Sequence, residues 1–206
     1  DHEVNIKIFV DRMVAAGRLD PEERAEFLHS MTDEVGRLVL QDNKDQNMLL
    51  LNDRRHVVEW SPSFERLMDW LEKHADLNRE LEALPSNEEL HARVAAGEGL
   101  TSPELSVLAA YAKIELTKAL TNSDLADDPY FSGTLRRYFP KQLVERFEDQ
   151  LDTHPLRREI ISTVVANDII NIGGITFAFR VIEETSATES MVARAFTALR
   201  EIYEID

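Results

Sequence analysis

The sequence predicts an all-α fold, an irregular bundle of about eight to ten helices that cross one another at large angles. Three observations carry this prediction. Only 7 Gly and 7 Pro occur in 206 residues, which is too few for a turn-rich all-β protein. Apolar residues recur at helical spacing along most of the chain. Many of these stretches begin with proline or with a residue that caps a helix N-terminus.

The first stretch covers residues 4–16 and stops at Gly17, because glycine readily ends a helix. Asp20 and Pro21 then supply an N-cap and a first-turn proline for the next helix. We expect a break near residues 42–43, and by periodicity the apolar run 48–51 that follows is a helix or a buried strand. We interpret it as helix.

Further helix starts follow the same pattern along the rest of the chain. They are predicted at Ser61-Pro62, Pro85-Ser86, Thr101–Glu104, Asp128-Pro129, Pro140, Pro155 and Ser186–Glu189. The segments 101–104 and 186–189 both read as capping boxes, in which the first side chain and the glutamate cap each other's backbone amides. Gly97 or Gly99 and the pair Gly173-Gly174 are the expected stops.

The helix after Pro155 is apolar on almost every side, which is typical of the centre of a helical pack. A short apolar helix follows at residues 177–182. The last helix carries an apolar stripe with Val192 at its start and Ile202 at its end.

Charge and composition exclude several classes of function. The net charge is -16, so the surface repels nucleic-acid backbones and anionic lipid, and we expect neither partner. The absence of cysteine removes disulfides and thiol catalysis. No apolar run approaches the roughly 20 residues that a membrane span needs. The opening residues resemble neither a signal peptide nor a natural start, so we expect a chain cut from a longer protein. The lack of cysteine is compatible with the cytoplasm, which is the location that we expect.

A metal site is the sharpest chemical alternative. Glu26 and His29, and again Glu88 and His91, have the Glu-x-x-His spacing of di-iron helical bundles. Glutamate is so abundant here that chance explains both spacings better, and we predict no metal-ligating residue.

Other polar side chains indicate structure rather than catalysis. No serine lies in a nucleophile elbow. We expect His2, His56, His74 and His154 to lie at the surface or in satisfied hydrogen bonds. The segment with Asn167, Asp168 and Asn171 interrupts an apolar helix, and a buried polar network between helices explains it better than a ligand contact. We therefore predict no catalytic and no cofactor-binding residue in this chain.

Several strings, taken in order, resemble the large bacterial NAD-dependent glutamate dehydrogenases. They are residues 1–8 (DHEVNIKI), 100–113 (LTSPELSVLAAYAK), 128–130 (DPY), 137–140 (RYFP), 156–161 (LRREII), 166–174 (ANDIINIGG), 176–177 (TF) and 183–185 (EET). Each string is weak alone, but they occur in the family's order and are spread along most of the chain, from residue 1 to residue 185.

The resemblance implies a parent enzyme that converts L-glutamate and NAD to 2-oxoglutarate, ammonium and NADH. It places the NAD site and the catalytic motifs before residue 1, so we expect this chain alone to bind no NAD and to be inactive. It also implies that residues 1–16 are the last helix of the catalytic, nucleotide-binding region and that residues 17–206 are a C-terminal helical domain. Glu3 is then expected to be structural, packing the crossover from the nucleotide-binding domain.

The same resemblance implies a structural, assembly or regulatory role. The partners would be the preceding nucleotide-binding domain of the same chain and further copies in a homo-oligomer. We expect both ends of the chain to expose apolar surface that the parent covers. The alternative hypothesis is a stand-alone helical module that binds another protein through an exposed apolar stripe.

Overall fold

A computed structural model of the chain describes residues 2–204, and the regular elements in this range are all helices, with no strand. The α-helices are α1 (His2–Ala15), α2 (Arg24–Ser30), α3 (Thr32–Arg55), α4 (Ser61–His74), α5 (Asn87–Ala95), α6 (Ser102–Thr121), α7 (Ser132–Tyr138), α8 (Lys141–Phe147), α9 (Arg157–Gly173), α10 (Phe177–Thr185) and α11 (Glu189–Ile202). Short 3-10 helices cover Leu125–Asp127, Pro129–Phe131 and Glu148–Thr153. The predicted all-α class is confirmed, with slightly more α-helices in the described part than predicted.

Helix α9 lies at the centre of the fold. It packs along α6 and is flanked by α3, α7, α10 and α11. Ile161, Ala166 and Ile169 on α9 are fully buried because neighbours surround the helix on several sides. The central position predicted from its apolar sequence is confirmed.

Local capping signals set several helix ends as predicted. Gly17 ends α1 with φ of +67°, and the Arg18 amide donates to the Met13 carbonyl at 2.9 Å. The Ser86 hydroxyl accepts from the Glu89 amide at 3.1 Å and begins α5. These contacts satisfy backbone groups that every helix end leaves without a partner inside the helix.

The predicted break near residues 42–43 is wrong. Helix α3 runs unbroken from Thr32 to Arg55, and the chain breaks instead at Met31 between α2 and α3. The Asn43 side chain donates to the Val39 carbonyl at 3.1 Å, and Asn47 donates to the Asn43 carbonyl at 2.8 Å. These asparagines bind carbonyls of their own helix, so they do not end it. The run 48–51 is helical, as interpreted.

The second predicted capping box is also wrong. Ser186 follows α10 in a left-handed conformation with φ of +56°, so it ends one helix and cannot begin the next. Thr188 is the N-cap of α11, and its hydroxyl accepts from the Met191 amide at 3.3 Å. Two other starts are displaced: Asp20 caps a turn before α2, and Asp128 caps the 3-10 helix before α7.

The core is one continuous hydrophobic cluster that reaches from α1 to α11. Apolar residues near both ends of the chain stay exposed, as expected: Val4 is 59% exposed and Ile202 is 72% exposed. In the described segment no single helix is long and apolar enough to cross a membrane, although α9 and α10, which meet at 92°, together reach that length and composition.

Candidate functional site: the clamp around helix α1

Helix α1 is held by residues from the C-terminal half of the chain. Its Phe9 side chain is fully buried. The Phe9 ring centroid lies 5.9 Å from that of Phe139, 6.0 Å from that of Phe147 and 6.0 Å from that of His154. We call Phe9, Tyr138, Phe139, Phe147 and His154 the α1 clamp. Aromatic packing of this kind joins the first helix to segments that lie far away in the sequence.

Polar contacts fix the position of α1 in the clamp. The Asn5 side chain donates to the Tyr138 hydroxyl at 2.7 Å, and the Asn5 carbonyl accepts from His154 Nε2 at 3.0 Å. The His2 ring stacks on Tyr138 with centroids 4.3 Å apart. Burial raises the pKa of Tyr138, so its hydroxyl stays protonated. The apolar contacts of the clamp provide most of the stabilisation of α1. The hydrogen bonds fix where along the clamp the helix lies.

His154 is a buried neutral imidazole. Only 3% of the residue is exposed, and burial lowers its pKa. Nε2 donates to the Asn5 carbonyl, and Nδ1 accepts from the Leu156 amide at 3.0 Å. Both ring nitrogens are therefore occupied, which fixes the tautomer and leaves no lone pair for a metal or a substrate proton.

Ion pairs surround the clamp at the surface. Arg18 pairs with Asp149 at 2.7 Å, and Arg146 pairs with Glu23 at 2.7 Å. The Arg146 guanidinium also lies over the Phe27 ring, 5.2 Å from its centroid. These pairs are solvent-exposed, so each contributes little to stability.

His56 and His74, which the sequence also singled out, are at the surface or hydrogen-bonded, as predicted, but the prediction is wrong for His2. His56 is exposed beside Glu59, and His74 Nδ1 lies 2.9 Å from the Trp70 carbonyl. His2 is largely buried, and its Nε2 is 3.4 Å from Asp42, but its Nδ1 is buried with no hydrogen-bond partner among the described residues.

The Glu-x-x-His motifs do not meet at a metal site. His29 is exposed on α2. His91 on α5 pairs with Glu65 of α4 at 2.8 Å. Residues 2–204 contain no group of three or more His, Asp or Glu side chains that could hold a metal ion.

Of the three polar residues that interrupt the apolar sequence of α9, Asp168 joins two helices, as predicted. Asp168 accepts from Arg200 at 2.7 Å and so connects α9 to α11. Burial raises the pKa of Asp168, and the Arg200 charge opposes that rise. Asn167 and Asn171 line a groove of about 720 Å³ between α3 and α9.

Glu3 is exposed and pairs with Lys7 at 2.5 Å. Its expected place at the crossover from the nucleotide-binding domain stays a prediction.

Sequence reasoning missed a buried carboxylate. Asp53 is 2% exposed and accepts from the Ile175 amide at 2.9 Å, so it ties the end of α3 to the corner between α9 and α10. Burial raises its pKa. A signal was present, since Asp53 lies four residues after Leu49 on the buried face of α3.

The fold and the clamp define an all-helical segment whose first helix packs against residues from the C-terminal half of the chain. Comparison with known proteins identifies the family to which this segment belongs. Residues 97–206 match the family model described as glutamate dehydrogenase, C-terminal, and residues 1–53 match the model of the bacterial NAD-glutamate dehydrogenase catalytic domain. The chain belongs to the family of NAD-specific glutamate dehydrogenases, as part of their C-terminal region.

Individual relatives agree with this assignment. The chain is 43% identical over 205 residues to an NAD-specific glutamate dehydrogenase from Mycobacterium tuberculosis. The corresponding identity is 43% for the protein of that name from Pseudomonas aeruginosa and 41% for the one from Halomonas elongata. In each case the match covers 100% of this chain and 13% of the relative. No solved structure matches. The resemblance noted from the sequence is confirmed, and the catalytic-domain match covers both sides of the boundary predicted at residue 16.

Proposed function

We propose that this chain is an architectural, non-catalytic segment of an enzyme that oxidises L-glutamate to 2-oxoglutarate and ammonium and reduces NAD. The α1 clamp is the observation that carries the proposal. Phe9 lies in the part that matches the catalytic-domain model, while Phe139, Phe147 and His154 lie in the part that matches the C-terminal model. The C-terminal helices therefore hold a helix of the catalytic region.

The chemistry of the clamp supports a role in stability. Full burial of an aromatic side chain such as Phe9 contributes about 1.5–3 kcal/mol. Both ring nitrogens of His154 are occupied by backbone groups, Nε2 by the Asn5 carbonyl and Nδ1 by the Leu156 amide. Neither nitrogen is therefore offered to a substrate. NAD and glutamate would bind in the preceding nucleotide-binding region, where the hydride transfer would take place.

The organisation of the parent follows from the same proposal. Helix α1, within residues 1–16, is the last helix of the catalytic region, and residues 17–206 form the appended helical domain. The partners are the preceding domain of the same chain and further copies in a cytoplasmic homo-oligomer. The alternative, a stand-alone binding module, receives less support, because similarity to the dehydrogenases extends over 205 residues.

Activity of the full-length protein tests this proposal. We expect NADH formation from L-glutamate and NAD, followed by absorbance, and no turnover by residues 1–206 alone. Deletion of residues 97–206 from the full-length protein should abolish its assembly together with its activity. A deleted protein that assembles and turns over normally would contradict the architectural role, and turnover by the 206-residue chain would contradict the absence of catalysis.

A further inference from the structure

Helix α3 has an apolar face that no other part of the described chain covers. Its inner face carries the buried residues Leu49 and Asp53. On the opposite side Leu40 is 69% exposed, Met48 is 49% exposed and Leu51 is 56% exposed. These three side chains lie on one stripe, because a spacing of three, four or seven to eight residues returns to the same side of a helix.

Cations alternate with these apolar residues. Arg37, Lys44 and Arg55 occupy the same stripe at the same spacing, and all three are exposed. We call Arg37, Leu40, Lys44, Met48, Leu51 and Arg55 the outward face of α3.

The cations of the outward face make no ion pair within residues 2–204. The net charge of the molecule is -16, and most of its other arginines have carboxylate partners, as Arg18 has Asp149 and Arg158 has Asp127. An exposed stripe of leucine and methionine bordered by unpaired cations is complementary to an apolar surface bordered by carboxylates.

We propose that the outward face of α3 docks on an acid-rimmed apolar surface of the catalytic domain that precedes residue 1. This inference rests on the proposed function. Continuity favours that occupant: the match to the catalytic-domain model extends through residue 53 and so includes almost all of α3, which packs against α1. The inner side of α3 packs on α1 and on the C-terminal helices α6 and α9, so its outward face is turned away from them and is free to contact the domain that precedes residue 1.

A nucleic acid is a weaker candidate for the same face. Three cations in a chain of net charge -16 give little attraction for a phosphate backbone. The leucines and the methionine at the centre of the stripe offer no polar group to a phosphate or a base edge.

Thiol labelling of the full-length protein tests the docking. The variants Leu40→Cys and Leu51→Cys are compared with Leu81→Cys, a control at a residue that is 82% exposed and lies outside α3. Each labelled peptide is quantified by mass spectrometry. We expect the two α3 thiols to react at least about tenfold more slowly than the control thiol in the native protein, because a covered thiol reacts only when the contact opens. In denaturant all three should react alike.

Reversing the charge of two cations on the outward face of α3 tests whether these cations contribute to docking. Arg37→Glu combined with Lys44→Glu should bring the labelling rate of Leu40→Cys close to that of the control. Lys141→Glu, which changes a cation on α8 whose side chain is 79% exposed, should leave the labelling rate unchanged.

Zero-length carbodiimide cross-linking identifies the occupant. In assemblies mixed from isotopically light and heavy chains, Lys44 should cross-link to a carboxylate before residue 1 of its own chain. Cross-links between light and heavy chains would show that a second copy covers the face, and loss of thiol protection after nuclease treatment would show a nucleic acid. Either result overturns the proposal, as does equal labelling of all three thiols. None of these results depends on the contacts of the α1 clamp or on the NADH assay. The docking proposal and the proposed function can therefore be contradicted independently of each other.

Discussion

Gly174 shows how a single residue shapes the corner between α9 and α10. Its φ of +99° is a conformation that side chains rarely adopt, and a Cβ placed there would lie 3.2 Å from Asp53 Oδ1. At the neighbouring Gly173 a Cβ would lie 2.7 Å from Cγ of Phe177. The string 166–174 that carried the family resemblance thus has a structural reason for its two glycines.

Substitution of Gly174 tests that reason. Gly174→Ala should lower the free energy of unfolding of the 206-residue chain by about 1–3 kcal/mol, from backbone strain and from crowding of a buried carboxylate. The matched control is Gly36→Ala in α3, where a Cβ meets nothing within 4 Å. That change should stabilise the chain by about 0.5–1 kcal/mol, because alanine favours a helix. Urea unfolding measures both, and equal effects would contradict the strain argument.

His154 makes stability depend on pH. Its pKa in the folded state is lowered by burial, so the folded protein binds fewer protons there than the unfolded chain does. The contribution of neutral His154 is therefore fully present above the ordinary value of 6.5 and is lost as the pH falls through the lowered folded pKa. Protonation of Nδ1 would also remove the acceptor for the Leu156 amide.

The expected result is a chain that loses stability between about pH 7.5 and pH 5. His154→Gln should weaken this pH dependence while lowering stability at every pH, and His74→Gln, at an exposed site, should leave it unchanged. Urea unfolding at both pH values measures the difference. An unchanged slope in His154→Gln would mean that other groups cause the effect.

At the scale of elements, the start of α6 is held by a capping box that also joins α5. Glu104 accepts from the Thr101 amide at 2.6 Å, and Arg93 of α5 donates to both Glu104 oxygens at 2.8 and 3.0 Å. Burial alone would raise the pKa of Glu104, but these donors outweigh burial and the pKa is lowered. The box connects two helices that no apolar pattern would have paired.

Glu104→Gln should therefore cost about 1–3 kcal/mol of unfolding free energy near neutral pH, because Arg93 keeps a buried, weaker partner. The difference from wild type should shrink as the pH falls through the folded pKa of Glu104, since protonation removes the same charge. Glu98→Gln, at an exposed residue, is the control. If Glu104→Gln lowers the unfolding free energy by the same amount at acidic pH, the loss comes from packing and not from charge.

The elements that the sequence predicted correctly depend on local interactions. Gly17, Ser86 and the box at Thr101 act on backbone groups within a few residues, so their chemistry is visible in the sequence. The break near residues 42–43 was misplaced because asparagine can either end a helix or bind carbonyls of its own helix. The start of α11 was misplaced because serine and threonine are both good N-caps, and Thr188 takes that role while Ser186 ends α10. Only the surrounding geometry decides between these outcomes.

The α1 clamp was beyond sequence reasoning for a different reason. Phe9 lies in the predicted helical stretch 4–16 and Phe147 follows the predicted helix start at Pro140, but nothing local indicates that the two side chains pack together. His154 was expected to be satisfied and is, yet its partner Asn5 could not be named. The sequence therefore predicted which residues are core, and the pairing came from the tertiary fold.

At the scale of the whole molecule, the first and last thirds of the chain share one core. A substitution in the α1 clamp should therefore destabilise the first and the last third of the chain together. Phe147→Ala should destabilise the 206-residue chain by about 3–5 kcal/mol and expose α1 amides to hydrogen exchange. Leu199→Ala, at a residue that is 51% exposed, should change both quantities little. Exchange confined to α8, with α1 still protected, would contradict the shared core.

In the proposed function these helices stabilise the catalytic region and take no part in its chemistry. The most direct test is glutamate-dependent NADH formation by full-length Phe147→Ala, measured before and after heating. We predict unchanged KM for glutamate and NAD and unchanged kcat per folded enzyme, with a clearly shorter half-life at elevated temperature. A changed KM or kcat with an unchanged half-life would contradict the claim and assign the clamp a role in catalysis.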